Sequence, residues 1–225
     1  MLIAPLNRKF HYYNNMKSQL LSILNRKVLS GGNYFGKNTY YRAILNQYTN
    51  FCSYTNILNE TANLNSIQSN ADIQPRMLGA NTKSIVSKYG KPVFVFSENK
   101  ITIYVYKWKF NELKTRCEIH FYNGTVFLVN YIYNQLNTDE KNYIVKTITQ
   151  KYIGRDEDTD IMNCKVTDRN NNIIRVSDFF EGLKVTYLSN KSLGWHLGLT
   201  ADINIQKENQ KSKIRLAERL FYNNI

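Results

Sequence analysis

Two segments of this chain share one pattern, in which a short amphipathic helix ends in Lys-Tyr and a glycine and strand-like runs follow. The first copy runs from Asn81 to Gly90, and the second from Asn137 to Gly154. In both copies apolar residues recur at helical spacing before the glycine and alternate after it, as in strands. The pattern predicts an α+β fold of tandem units. Each unit is a helix plus an antiparallel three-stranded sheet, and the tandem is flanked by a helical N-terminal region and a C-terminal helix.

The clearest turn signal is Asn123-Gly124, which stands between two alternating runs. Asn-Gly favours a two-residue hairpin turn, because both central residues must accept a positive φ. A regular ladder from this turn predicts one face made of Cys117, Ile119, Phe121, Val126 and Leu128. It predicts a second face made of Glu118, His120, Phe127, Val129 and Tyr131.

Aromatic residues alternate along the preceding run, at Tyr104, Tyr106, Trp108 and Phe110. Alternation places all four on one side of a strand. If a helix covers that side, these residues are core. If the side is open to solvent, it is a binding platform.

Glycine and proline breaks, together with changes in hydrophobic pattern, predict four regions. These are a basic helical N-terminal region (1–59), a polar linker (60–77), a first helix-plus-sheet unit (78–136), and a second unit with the C-terminal helix (137–225). Within the first region, helices are expected over 16–29 and from Thr39 to about Leu58. The closing helix is expected from about Glu208 to Tyr222.

Charge is distributed unevenly along the chain, whose formal net charge is +13. Residues 1–59 contain no Asp or Glu and carry seven cations: Arg8, Lys9, Lys17, Arg26, Lys27, Lys37 and Arg42. Together with interleaved tyrosines, these cations could neutralise phosphates while the rings stack on bases. The alternative is that a coding composition rich in Lys, Asn and Tyr leaves this segment poor in acid for no functional reason.

The three cysteines are far apart and form no zinc-binding spacing, so no metal or cofactor is expected. The chain shows neither a secretory signal nor an apolar run long enough to span a bilayer. We therefore expect a cytoplasmic or otherwise intracellular protein of unknown oligomeric state. With 43% hydrophobic residues, the chain should fold rather than remain disordered.

Reactive side chains are sparse. Glu118 and His120 lie two apart on one predicted strand and so point the same way, as general acid–base chemistry would require. Paired surface charges on a sheet are the commoner explanation. The third functional hypothesis, an enzyme using this pair, is therefore the weakest.

The run from Leu78 to Pro92, LGANTKSIVSKYGKP, followed by Tyr104–Trp108 and the hairpin from Glu118 to Val129, resembles the SmpA/OmlA module. In that module a glycine, a short helix and Gly-x-Pro lead into a three-stranded sheet, and the same unit occurs in tandem in beta-lactamase-inhibitor-like proteins. The resemblance covers about residues 78–133, and residues 137–188 show a weaker form of the same pattern. Family members are usually exported lipoproteins, whereas this chain shows no lipobox before Cys52.

The resemblance implies binding to other proteins through an exposed sheet or loop surface. Together with the aromatic strand, it leads to a non-enzymatic protein-binding or assembly module whose partner is a protein. The expected binding residues are Tyr104, Tyr106, Trp108 and Tyr131. The alternative is a nucleic-acid-binding protein that uses the acid-free N-terminal region.

Overall fold

The structure is a computed structural model that describes residues 36–49, 51–73, 76–110, 112–154, 160–179, 182–189 and 194–222. The fold discussed below belongs to the unit that begins at Leu45, and residues up to Ile44 belong to a separate N-terminal unit. Within the described ranges the chain is α+β, as the sequence predicts.

The helices are α1 (Lys37–Leu45), a short 3-10 helix (Asn46–Tyr48), α2 (Cys52–Asn63), α3 (Thr82–Tyr89), α4 (Thr138–Tyr152) and α5 (Trp195–Tyr222). The strands are β1 (Asn65–Gln68), β2 (Phe94–Glu98), β3 (Ile101–Phe110), β4 (Leu113–Tyr122), β5 (Thr125–Asn134), β6 (Cys164–Thr167), β7 (Ile173–Phe179) and β8 (Gly182–Leu188).

All eight strands form one sheet in the order β1-β6-β7-β8-β5-β4-β3-β2. Among the strands of the described residues, β1 and β6 pair in parallel, and the other pairs are antiparallel. We call α3 with β2–β5 the first half, and α4 with β6–β8 the second half. The first half has four antiparallel strands where the sequence predicted three. The two halves join where β5 pairs with β8 over seven residue pairs.

The caps of α3 and α4 confirm the local signals in the sequence. The Asn81 side chain accepts a hydrogen bond from the Ser84 backbone N–H. At α4, Asn137 and Glu140 form the predicted capping box, in which each side chain bonds the other residue's backbone N–H. Asn-capped starts satisfy N–H groups that would otherwise lack an intrahelical partner.

The first face of the sheet, which carries Ile119 and Tyr131, packs under α3 and α4. Ile85 of α3 belongs to a buried cluster with Cys117, Ile119, Phe121, Val126 and Val129. On the second half, α4 contributes Ile144, Ile148 and Tyr152 to a cluster with Val166, Ile174, Val176, Leu183 and Val185. Two adjacent helix-on-sheet cores therefore lie on this face.

The second face, which carries Glu118 and His120, packs under α2 and the start of α5. Tyr54 of α2 hydrogen-bonds His120, and Lys165 of β6 donates to the Thr61 backbone oxygen at 2.8 Å. Trp195, at the start of α5, is buried and packs against Phe127, with ring centroids 4.9 Å apart.

The Asn123-Gly124 hairpin forms as predicted, with φ of 49° and 79° at its central residues. The ladder beyond it is not regular, because Phe127 of β5 forms a bulge opposite His120 and Phe121 and shifts the register. Leu128 therefore pairs with His120, and Val129 pairs with Ile119. The predicted faces need correction: Val129 and Tyr131 lie on the first face, and Leu128 lies on the second.

The N-terminal predictions also change. The single helix expected over Thr39–Leu58 is divided into α1, the 3-10 helix and α2, with Phe51 in a left-handed conformation (φ 53°) before α2. The predicted linker 60–77 contains the end of α2 and all of β1. Because β1 pairs with β6, this segment contributes a strand to the sheet. The boundary predicted at 136/137 falls between β5 and α4, and one sheet contains strands from both sides of it. The closing helix begins at Trp195, earlier than expected.

Candidate binding groove

The aromatic residues of β3 lie on the first face of the sheet, beside α3. Tyr106 is buried, and its hydroxyl donates to the Gly90 backbone oxygen at 2.9 Å, which ties β3 to the end of α3. Trp108 is half-buried and stacks on Tyr106, with ring centroids 5.5 Å apart. Tyr104, also half-buried, packs on Phe121 at 4.8 Å. Tyr104 and Tyr106 are therefore part of the core beneath α3.

Tyr131 of β5 also belongs to this aromatic cluster. Its ring centroid lies 6.0 Å from that of Trp108, 6.1 Å from that of Phe110 and 5.6 Å from that of Tyr187 on β8. The half-buried Tyr131 thus stands where the two halves of the sheet meet. Three of the four predicted binding residues cluster on β3, and Tyr131 links them to the second half.

A groove of about 510 Å³ lies above this junction, between α3 and α4. The sheet forms its floor with Leu113, Tyr131, Tyr133, Val185 and Tyr187, and Tyr89 of α3 lies on one side. From α4 come Tyr143, Ile144, Thr147, Ile148, Lys151 and Tyr152, and Arg76, Met77 and Phe110 complete the lining. This volume lies within the range of pockets that hold small ligands or a few side chains of a partner.

The lining combines aromatic rings with positive charge. Seven of the lining residues are Tyr or Phe, and Arg76 and Lys151 are the charged ones. No Asp or Glu occurs among the described residues that line it. Phe110 and Tyr143 are 44% and 52% exposed, so two rings are accessible from solvent.

The tyrosines of the floor remain neutral. Burial raises the pKa of Tyr131, of Tyr133 and of Tyr187 above the usual value for a phenol. Their hydroxyls therefore keep their protons at physiological pH. The groove floor offers ring faces together with neutral hydroxyl groups, which suits contact with apolar and polar groups of a ligand.

Glu118 and His120 lie on the opposite face, inside a buried polar cluster. Both side chains are no more than 1% exposed. Arg116 Nε lies 3.0 Å from Glu118 Oε1, and the Tyr54 hydroxyl lies 2.8 Å from His120 Nδ1. Tyr48, Asn130 and Thr186 complete the cluster, with Thr186 donating to Asn130 Oδ1 at 2.8 Å.

The protonation states in this cluster follow from burial, from the hydrogen bonds within it and from the charges nearby. Burial by itself would raise the pKa of Glu118, but Arg116 and the hydrogen bonds from His120 and Asn130 lower it to about 2. Burial lowers the pKa of His120 despite the opposing effect of Glu118. At neutral pH the cluster holds an ionised carboxylate and a neutral imidazole. Its position, closed to solvent under α2, suits a role in fastening α2 to the sheet.

Most of the predicted N-terminal cations lie outside the described residues: Arg8, Lys9, Lys17, Arg26 and Lys27. Lys37 and Arg42 are described, and both are exposed on α1. Within the described ranges, no group of three or more His, Cys, Asp and Glu side chains could hold a metal ion. In the same part of the chain, no helix is long and apolar enough to cross a membrane.

Three groove residues are not indicated by any motif in the sequence: Tyr133, Tyr143 and Tyr187. They come from β5, α4 and β8, and the pairing of β5 with β8 brings them together. The one local signal was the alternation of Tyr131 with Tyr133, which places both on the same face.

Comparison with models of known protein families gave no match, and neither did comparison with curated proteins. Among solved structures, this chain is similar to the crystal structure of a cysteine-rich secretory protein (SAV1118) from Staphylococcus aureus subsp. aureus Mu50. The two are 13% identical with a TM-score of 0.36, over 60% of this chain and 50% of that one. The match thus spans about half the length of that protein.

Proposed function

We propose that this protein is a non-enzymatic protein-binding module that holds a peptide segment of a partner in the groove between α3 and α4. The observation that carries the proposal is the set of seven aromatic residues around one groove, two of them exposed at its edge. Aromatic side chains provide large contact areas at low entropic cost and dominate binding energy at interfaces.

The charge of the groove indicates the kind of segment it would hold. Arg76 and Lys151 are both exposed, and Lys151 Nζ lies 4.9 Å from the centre of the Tyr152 ring. A segment with aromatic or aliphatic anchors flanked by acidic residues would match the rings and the cations. Basic segments would be repelled.

The resemblance of residues 78–133 to the SmpA/OmlA module also supports protein binding, because members of that family bind other proteins. We infer further that the two halves are tandem copies of one helix-plus-sheet unit. In each half an Asn-capped helix with a Lys-Tyr end precedes its antiparallel strands. In this view the groove lies at the junction of the two copies.

The test is selection from a random peptide library displayed on phage, followed by fluorescence anisotropy with the selected peptides. Phe110→Ala and Tyr143→Ala should each weaken binding about tenfold or more, because both remove exposed rings at the groove edge. Val95→Ala is the matched control, since Val95 is 48% exposed on the same face but lies on the edge strand β2. Selected peptides should be acidic and rich in aromatic residues. Failure to enrich any peptide, or equal binding by all three variants, would refute the proposal.

The second candidate function is nucleic-acid binding through residues 1–59. It is favoured by the two described cations of this region, Lys37 and Arg42, which are both exposed. Replacing all seven cations of the region with Gln should then abolish salt-sensitive binding of RNA and DNA oligomers. Binding that survives in this variant would exclude the N-terminal region as the site.

A further inference from the structure

One end of the second face carries a cluster of positively charged side chains, on the opposite side of the sheet from the groove. The register of β3 and β4 places Lys107 directly opposite Arg116, and Lys109 directly opposite Lys114. On β5, Ile132 is the neighbour of Arg116, and Lys184 of β8 is the neighbour of Ile132. We call these five cations, Lys107, Lys109, Lys114, Arg116 and Lys184, the cationic end.

Folding alone does not favour this arrangement. Like charges directly opposite each other on neighbouring strands destabilise a sheet, whereas opposite charges stabilise it. Among the described residues, two ion pairs hold members of the cationic end: Glu112 pairs with Lys109, and the buried Glu118 pairs with Arg116. Glu60 also acts on Lys184, but it is paired with Arg175, which lies outside this set. Five cations against these two carboxylates leave a surplus of three positive charges. Burial is the main reason why the pKa of Lys184 is lowered; Glu118 and Glu60 raise it, and Arg175 lowers it further.

The cationic end is open to a ligand. Lys107, Lys109 and Lys114 are exposed, while α2 covers the neighbouring part of the face around His120. Lys107 and Lys109 are two residues apart on β3, and Lys114 of β4 lies directly opposite Lys109. The three side chains therefore project from the same face of the sheet. They form a positive surface on the face of the sheet opposite the groove.

An aromatic ring lies at the same end of the sheet. Phe179 of β7 is 39% exposed and pairs with Gly182, which in turn pairs with Asn134 of β5. A Cβ on Gly182 would lie only 2.3 Å from the Phe179 ring, so the ring lies over this glycine. Three strand spacings, about 14 Å, separate β7 from β4. A nucleic-acid strand could therefore place a base on Phe179 while its phosphates meet the lysines.

We propose that the cationic end is a binding surface for single-stranded nucleic acid, separate from the peptide groove. Lys107, Lys109 and Lys114 contact the phosphates, and Phe179 stacks on a base. A pleated sheet that offers cations and an exposed ring suits a single strand, whose bases are free to stack. An acidic protein would use the cations but would have no comparable need for the ring.

The experiment is fluorescence anisotropy of a labelled mixed-sequence 20-nucleotide RNA with the full chain, over a series of salt concentrations. The test variant replaces Lys107, Lys109 and Lys114 with Gln. The control variant replaces Lys83, Lys88 and Lys91 with Gln, which removes the same charge from exposed positions in and just after α3. Circular dichroism and thermal unfolding verify that both variants fold.

The test variant should bind at least tenfold more weakly near physiological salt. Its slope of log affinity against log salt should decrease by about 2, since each phosphate contact on a single strand contributes about 0.7. The control should bind like the wild type. Phe179→Ser should weaken binding about tenfold through loss of stacking.

Four results would overturn the proposal. Equal losses in the test and control variants would show a response to net charge alone. Duplex RNA bound as tightly as the single strand, or a polyglutamate peptide bound in its place, would identify another ligand class. Binding that is lost only when the seven cations of residues 1–59 are replaced would assign nucleic acid to that region. Phe110→Ala and Tyr143→Ala should not affect RNA binding. Either proposal can therefore be refuted without refuting the other.

Discussion

At the scale of single residues, the buried polar cluster around Glu118 is the most consequential feature of the second face. It joins β4, β5 and β8 of the sheet to Tyr48 and Tyr54, which lie outside the sheet. A satisfied network of this kind stabilises one arrangement, but removal of a single member leaves the others buried with unmet hydrogen-bonding needs.

Glu118→Gln should lower the free energy of unfolding by about 3–5 kcal/mol, because it removes the carboxylate beside the buried part of Arg116. Urea denaturation at pH 7 measures the loss. Glu112→Gln is the matched control: Glu112 is 86% exposed, so its loss should cost no more than about 0.5 kcal/mol. A loss below about 1 kcal/mol for Glu118→Gln would show that the cluster does not stabilise the fold.

The same cluster makes stability depend on pH. His120 has a pKa below 6.5 in the folded state, so the unfolded chain takes up its proton first and stability falls as the pH drops below about 6.5. Glu118 has a folded pKa of about 2, so its contribution is complete above pH 4.5 and is lost as the pH falls from 4.5 towards 2. Both effects have the same sign.

His120→Gln should therefore flatten the decline of stability between pH 7 and pH 5, measured by denaturant unfolding at each pH. His196→Gln is the control, because His196 lies on α5 outside the cluster. An unchanged decline in His120→Gln would contradict the assignment of His120 as the titrating group.

At the scale of elements, α5 consists of a docked beginning and an exposed remainder. Trp195, Leu199 and Ile203 are buried, and Asp202 accepts hydrogen bonds from Lys100 at 2.8 Å and from the Tyr122 hydroxyl at 2.7 Å. Further along, Ile214 and Leu216 are exposed. The close contact of Gly198 with Tyr122, where a Cβ would lie 2.7 Å from the hydroxyl, lets the helix approach the sheet.

Two leucines of this helix provide a matched pair. Leu199→Ala should lower the free energy of unfolding by about 2–5 kcal/mol, because Leu199 is fully buried. Leu216→Ala should change it by no more than about 0.5 kcal/mol, because Leu216 is 58% exposed. Thermal and urea unfolding measure both. Similar effects for the two substitutions would mean that α5 is packed along its whole length.

At the scale of the whole sheet domain, the pairing of β5 with β8 joins the halves into one hydrogen-bonded sheet. Separate cores under α3 and α4 could unfold independently if this junction were weak. Seven residue pairs, with Tyr131 packed on Tyr187 across the junction, oppose that.

We therefore expect one cooperative unfolding transition for residues 45–225. Native-state hydrogen exchange should give similar opening free energies for the slowest amides of β4 in the first half and of β7 in the second. A difference of several kcal/mol between the two strands would show that the halves open separately.

Local signals in the sequence determined the caps at Asn81 and Asn137, the turn at Asn123-Gly124 and the α+β class, because each depends on residues close together in the chain. Only the tertiary structure decided the bulge in β5, the incorporation of β1 and the placement of Tyr131 on the first face. The groove likewise depends on β5 pairing with β8, about 50 residues apart in sequence. These features arise from contacts between distant residues, and no local propensity encodes which strands become neighbours.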